Sequence, residues 1–459
     1  MSDNPSPEDL PPAYFLSLTL ENVRCFGPEQ TLDLTNDEGQ PAQWTVLLGD
    51  NGTGKTTLLQ VVAGMEPVAK NLKGAQIDYG SRVVTKGFAS GGLEELLELG
   101  SHPSELSISC QIYHGSKLKD PDFGKGSQNS FWLESGPRSS QFHSPDYQDP
   151  SALTGLCCFG YGAGRKMAKR APEEDDEVGT KSLFDEEVEL PNAEEWLLQT
   201  DYAAKSGKKK AKKRRGQIET VLAHSDSGIL PDVDDLEFVD QEGDTSPPRV
   251  EFRTPYGWVT IDQLSLGYRT MIAWVVDLAR RLFERYPESD NPLAEPAVCL
   301  VDEIDLHLHP KWQRKIIDFL SERFPNTQFI VTAHSPLVVQ AAQEANIALL
   351  KRVENPDGDD YVEIHNDMEP VGNLRVDQIL TSDLYGLESA RPPHLDSLLE
   401  ERQEILSQSE LTEGDENRLD EIEEEVGDLP SGETKEQREA MDFIKDVADR
   451  LETEEEATS

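Results

Sequence analysis

The chain is poor in cysteine, with Cys25, Cys110, Cys157, Cys158 and Cys299 alone among 459 residues. The number is odd, two are adjacent and none forms a CxxC pair, so neither a disulfide framework nor a zinc ribbon is expected. Long apolar runs are missing too. No stretch reaches the roughly 18 apolar residues that a membrane-crossing helix needs. The opening MSDNPSPEDLPPAYF is polar and Pro-rich, without the basic-then-apolar pattern of an export signal. These absences predict a soluble, cytoplasmic chain with no membrane partner. Positive charge is the third scarcity. Lys and Arg number 43 against 88 Asp and Glu, for a formal charge of −45. Such a surface repels phosphate as a whole, and any nucleic-acid contact has to come from a local basic patch. The plainest meaning of the acidity is solubility or a salt-rich source.

Apolar residues make up only 36%, but they are concentrated in runs, which predicts a sizeable core with solvated segments attached. Residues 14 to 34 alternate as strands, Trp44 to Leu48 is a short apolar strand, and 57 to 64 has helical spacing. SELSISCQIYH and LCCFGYGAGR read as further strands. From 166 to about 248 the character changes: an acidic run, EEDDE (173 to 177), a helix-like EEWLLQTDYAAK and a basic run, KKKAKKRR (208 to 215). This predicts an inserted, partly mobile subdomain. After it, Met271, Ile272, Val275, Leu278, Ala279 and Leu282 fall at helical spacing. AVCLV and TQFIVTA are buried-strand patterns with a helix between them. Beyond about 390 the chain is acidic and helix-like, with apolar stripes at Ile405, Leu419 and Ile422. The expected division is 1–165, 166–248, 249–390 and 391–459.

LLGDNGTGKTT fits the phosphate-binding pattern G-x-x-x-x-G-K-[ST] between a strand and a helix. Gly49, Asp50, Asn51, Gly52, Thr53 and Gly54 form a turn whose backbone N–H groups can face a phosphate. The helix start at Lys55, Thr56 and Thr57 adds positive partial charge. Lys55 would meet the β- and γ-phosphates of ATP, and the Thr56 hydroxyl would bind Mg²⁺. LVDEIDLHLHP then reads as the second half of the site. Asp302 would hold Mg²⁺, and Glu303 would polarise the attacking water as general base. His307 and His309 lack the further ligands that a metal site needs, and a turn opening a helix at Pro310 accounts for them better. Asp305 is better placed for a role at a dimer face. His334, at the end of TQFIVTA, is expected to touch the γ-phosphate. In QLSLGYRTM, Ser265 and Gly267 open a helix whose N–H groups make an anion site.

Together these motifs resemble the ABC-type ATPase heads of the SMC and RecF-like class. GDNGTGKT resembles a Walker A motif, CLVDE a Walker B, LSLGYR a variant signature, EIDLHLHP a D-loop and VTAHSP a switch histidine. The resemblance implies an α/β P-loop fold with an inserted subdomain and a helical C-terminal tail. It also implies a head-to-head dimer, with ATP held between Walker A of one subunit and Ser265, Gly267 and Arg269 of the other. The signature departs from LSGGQ, and no glutamine marks a Q-loop, although the turn Gly160 to Arg165 lies where one belongs. FGYGAGR and LTSDLYGLESARPPHLDSLLEERQEI (380 to 405) further resemble the PtuA-type ATPases of Septu anti-phage systems and some retrons. That likeness implies homo-oligomers beyond the dimer and a small HNH-type nuclease partner that attacks nucleic acid.

The reading is therefore an ATPase sensor and scaffold in a defence complex, acting on nucleic acid through its partner. The alternative is a RecF-like repair ATPase that binds DNA itself through 208–215, a run that is otherwise a solvated charge cluster. A transporter motor fits poorly, since the insertion and the tail lie outside that pattern. DGDD (357 to 360) could imitate a nuclease acid cluster, but VENP and YVEIH on either side predict a β-hairpin turn.

Overall fold

The computed structural model describes residues 10–68, 84–85, 106–120, 126–136, 139–143, 155–169, 179–223, 228–240, 247–356, 358–368, 371–387, 389–390, 392–408 and 412–426. The EEDDE run lies outside them. Two compact units divide at Ile379/Leu380, earlier than the boundary at 391 that composition suggested.

The first unit is built on a six-stranded sheet in the order β16-β15-β3-β14-β13-β9. Its strands are β3 (Trp44–Gly49), β9 (Cys158–Tyr161), β13 (Ala297–Val301), β14 (Thr327–Thr332), β15 (Asn346–Val353) and β16 (Tyr361–His365). All neighbours pair in parallel except β15 and β16, which form an antiparallel hairpin. The hairpin turns through the DGDD stretch, as expected, with Val353 opposite Tyr361; Asp357 itself lies outside the described residues. Every residue of β9, β13 and β14 is buried. This is why they are continuous apolar runs without alternation: a parallel sheet is covered on both faces.

A second sheet of five antiparallel strands has the order β2-β1-β6-β7-β8. It comprises β1 (Ala13–Glu21), β2 (Gln30–Asp33), β6 (Leu106–His114), β7 (Ser127–Gly136) and β8 (Ser139–His143). A short ribbon pairs β4 (Pro67–Val68) with β5 (Val84–Thr85). Along β1 the outer half alternates, with Leu18 and Leu20 buried and Thr19 half-buried, the pattern of a strand with one covered face. Gln328 of β14 joins the two sheets. Its amide accepts from Phe15 N–H at 2.9 Å and donates to Phe15 C=O at 2.8 Å. A side-chain amide thus satisfies the backbone of β1 where its pairing with β6 shifts register between Phe15 and Ser17.

Helix α1 (Lys55–Gly64) follows β3 directly. The inserted segment contributes α2 (Ala193–Lys205) and α3 (Lys209–Leu222). A three-stranded sheet follows, β10 (Asp235–Val239), β11 (Arg249–Thr254) and β12 (Gly257–Thr260). Since β10 pairs with β11, the expected boundary at 248 falls between two paired strands of one sheet. In the described part of the insertion the basic run, from Lys209 on, forms the first half of α3. Lys210 reaches Glu288 at 2.6 Å and Lys213 reaches Asp290 at 2.8 Å. Arg214 donates to Phe283 C=O and lies 5.4 Å over its ring, and Arg215 pairs with buried Asp201 at 2.8 Å.

α4 (Leu266–Arg285) carries the apolar positions read from the sequence, all buried. Trp274, Val276 and Phe283 on its other faces are buried as well. The reason is tertiary. α2 and α3 pack on α4, with Trp196 stacked on Phe283 at 6.0 Å, so this helix has no solvent face along most of its length. Helices α5 (Pro310–Gln313), α6 (Ile316–Arg323) and α7 (Pro336–Ala341) also belong to the first unit, with α7 packed on the other two. The described part of the second unit is dominated by a helical pair, α8 (Pro393–Leu406) and α9 (Glu413–Val426). It buries Leu395, Ile405 and Ile422 and is clamped by Arg418 on Glu401 at 2.7 Å.

Candidate functional site

Strand register assembles the site. Val46 lies opposite Val331, and Val331 opposite Val301. The carboxyl ends of β3, β14 and β13 are therefore level, and the glycine turn, Thr332 and Asp302 meet at one edge of the sheet. This is where open parallel sheets place their ligands.

The turn itself depends on backbone that only glycine adopts easily. Gly54 caps α1 in the left-handed region, φ +84°, and a Cβ there would sit 2.6 Å from Cys25 Sγ. The N–H groups that open α1 have no acceptor within the helix. The Lys55 side chain curls back over the turn, its Nζ held by Gly49 C=O at 2.7 Å and Asp50 C=O at 2.9 Å. Burial pulls this ammonium below the ordinary lysine range, while Asp302, Asp50, Glu303 and Asp305 pull it back. Thr53 ties the turn from the inside by donating to Asp50 C=O at 2.8 Å.

Thr56 Oγ1 donates to Asp302 Oδ2 at 2.8 Å, and Thr332 Oγ1 donates to Asp302 Oδ1 at 2.7 Å. A hydroxyl beside a carboxylate at a helix N-terminus is the hard-oxygen donor set that suits Mg²⁺ next to phosphate. Glu303 follows with φ +49°, a left-handed conformation that costs a non-glycine residue about 1–2 kcal/mol. Two contacts hold it there. Its N–H donates to Thr332 Oγ1 at 2.7 Å, and its C=O accepts from Arg165 Nη2 at 2.8 Å. Arg165 also donates to the carbonyls of Gly162 and Asp302.

Asn51, Gly52, Gly54, Lys55, Thr56, Thr57, Asp302, Glu303 and His334 share one cavity of about 410 Å³. Gly49, Asp50 and Thr53 support it from behind. Asp305 does not line it, but its Oδ2 accepts from His334 N–H at 3.0 Å, linking the acid-rich turn to the histidine. His309 caps α5 by accepting from Lys311 N–H, the turn role expected of it, and no metal-binding cluster of His, Cys, Asp or Glu occurs among the described residues.

The signature residues lie elsewhere. Ser265 is the N-cap of α4, accepting from Tyr268 N–H at 3.4 Å. At Gly267 a Cβ would meet His307 C=O at 2.4 Å, so only glycine allows the start of α4 to approach the turn after β13. Arg269 lines a different groove of about 490 Å³, beside Lys166 and Lys169. Sequence reasoning missed four residues at or beside the cavity. Arg24 and Cys25, in the turn between β1 and β2, line it, and Arg24 Nη1 donates to Thr57 at 3.2 Å. Arg165 and Thr332 act from behind it. Arg165 ends FGYGAGR and Thr332 lies within VTAHSP, yet no local pattern gives either a role at the site; the long-range pairing of strands does.

The fold and the site are those of a P-loop NTPase. An AAA-domain family matches residues 17–64. Another, described as "AAA domain, putative AbiEii toxin, Type IV TA system", matches 182–340. Within that class the chain resembles the Septu protein PtuA of Bacillus mycoides, at 28% identity over 79% of this chain and 43% of that protein. It is also 50% identical to the "Retron Ec83 probable ATPase" of Escherichia coli, over 20% of this chain and 17% of that one. The chain thus spans less than half the length of these curated relatives. An SMC head bound to the winged-helix domain of ScpA overlays at TM-score 0.44 and 15% identity, covering 77% of this chain and 98% of that one.

Proposed function

We propose that the chain is the ATP-binding and hydrolysing subunit of a cytoplasmic anti-phage defence complex, a sensor and scaffold that regulates an HNH-type nuclease. The observation that carries the enzymatic part is that Thr56, Asp302 and Glu303 line one cavity with Lys55, while Thr332 ties the acid pair from behind. In this reading the backbone N–H groups at the start of α1 and the Lys55 ammonium bind the β- and γ-phosphates. Thr56 and Asp302 would hold Mg²⁺, which when bound neutralises phosphate charge. Glu303 accepts a proton from the attacking water as its oxygen bonds to the γ-phosphorus. The bond from that phosphorus to the bridging oxygen breaks, and ADP departs with the bridging oxygen. His334 donates to the γ-phosphate. Ser265, Gly267 and Arg269 stand apart from the cavity of their own chain, which supports their serving a second copy in a head-to-head dimer, with Asp305 at that face. The defence role, the nuclease partner and its nucleic-acid target rest on the likeness to the Septu protein and the retron ATPases.

The test measures binding and turnover separately. Lys55→Ala should weaken ATP binding by about tenfold or more, roughly 1.4 kcal/mol. Glu303→Gln should bind ATP as the parent does, accumulate as an ATP-bound dimer in sedimentation, and lose about a hundredfold in turnover, the lower range for a general base. Parent-like hydrolysis by Glu303→Gln would remove its assignment as base.

A further inference from the structure

Arg165 is buried, with 3% of its surface exposed, yet among the described residues no carboxylate forms an ion pair with it. Its guanidinium is spent on backbone: Nη1 donates to the carbonyls of Gly162 and Asp302, and Nη2 to the carbonyl of Glu303. A planar fork can bridge several carbonyls at fixed angles. This one grips both residues of the acid pair by their main chain, at the point where Glu303 takes its left-handed conformation. The residues on its C-terminal side are anchored at once. Ala168 N–H donates to Leu190 C=O and Leu190 N–H to Lys166 C=O, each at 2.8 Å. Leu190 leads into Asn192, the N-cap of α2, whose side chain also donates to Lys169 C=O. A continuous path of bonds therefore runs from α2 of the insertion, through 166–169, to Arg165 and the backbone of Glu303.

We infer that Arg165 is a positioning residue for Glu303 and the link through which the inserted segment sets the geometry of the hydrolytic turn. It stands outside the residues that line the cavity. The inference deepens the proposed function, since it rests on Glu303 acting as base. It also accounts for the turn after β9, where a Q-loop glutamine would stand in the ATPases this chain resembles. Here an arginine occupies that turn and faces the acid pair from behind.

The experiment is Arg165→Lys, which keeps the charge but replaces the planar fork, whose two nitrogens divide the three carbonyls between them, with a single nitrogen. Steady-state hydrolysis, ATP affinity and amide hydrogen exchange by mass spectrometry are measured on the full chain. The expected result is a fall in kcat of about tenfold or more, the scale of misplaced catalytic groups, with KM within about twofold. Exchange should rise in residues 300–306 and stay unchanged in 47–57. Unchanged exchange in 300–306, or a joint fall of kcat and ATP affinity, overturns the inference. If Arg165→Lys does not fold, the parent itself is measured with and without ATP and Mg²⁺. Segments 158–169 and 300–306 should then change exchange together, and a change confined to 300–306 overturns the link. A parent that binds ATP without hydrolysing it would defeat the hydrolytic reading of Glu303 alone, because the exchange comparison still tests Arg165.

Discussion

Thr332 uses one hydroxyl twice: it donates to Asp302 Oδ1 and accepts from Glu303 N–H, each at 2.7 Å. Both contacts are in the interior, and Thr332 itself is fully buried. Thr332→Val preserves its shape and strips both. One carboxylate oxygen loses a donor and one amide loses its acceptor, and each such loss typically costs about 1–3 kcal/mol. Urea unfolding is expected to show a loss of about 2 kcal/mol, with kcat lowered and ATP affinity retained. A variant with parent stability and parent kcat would mean that another group orders the acid pair. The legibility of the site is split at this scale. Lys55, Thr56, Asp302 and Glu303 could be read directly, because a phosphate cradle and an acid pair at a strand end are local patterns. Thr332, Arg165 and Arg24 could not, because their partners lie 30, 137 and 33 positions away in the chain.

Among elements, α4 shows how local pattern and packing diverge. Its apolar periodicity was legible, but its buried outer face was not, because that face is covered by helices of the insertion. At its centre Asp277 is buried and holds Arg280 at 2.9 Å, Arg281 at 2.7 Å and the Tyr161 hydroxyl at 3.1 Å. This joins α4 to β9, the strand that leads to Arg165. Asp277→Ala removes the carboxylate that holds Arg281 in a poorly hydrated place, while Arg280 keeps Glu284 at 2.8 Å; the loss is about 3–5 kcal/mol by the usual magnitude for a broken buried pair. Lys213→Ala removes an ion pair whose members are both exposed to solvent, and the expected loss is small beside that of Asp277→Ala. Thermal or urea unfolding of the two variants checks the contrast; equal losses would contradict it. The same pairing weakens the DNA-binding alternative. Four cations of the 208–215 run already have partners within the chain, and the others stand on a molecule of net charge −45.

For the molecule as a whole, the two units imply separable roles. The core sheet, the glycine turn and both acids belong to the unit ending at Ile379. A chain truncated after Ile379 is expected to fold and to bind ATP with affinity within about twofold of the full chain, while losing association with the nuclease partner of the proposed complex. Calorimetric titration with ATP and co-purification with that partner are the two readouts. A truncated chain that folds but fails to bind ATP would show that the acidic helices contribute to the site. No helix among the described residues is long and apolar enough to cross a membrane.

The sequence by itself determined the P-loop, its acid pair, the apolar strands and the core helix. These follow from short-range chemistry: glycines where the turn must bend, an ammonium and a hydroxyl at a helix start, and runs apolar enough to be covered on both faces. Tertiary structure alone decided three other things. It set β14 between β3 and β13, which puts Thr332 between the two halves of the site. It folded the charged insertion as helices on α4, where its cations find carboxylates and an aromatic ring. It turned Arg165 onto the backbone of Asp302 and Glu303. In each case the partners are brought together by strand order and helix packing, and no local pattern of residues encodes which distant strand will lie alongside.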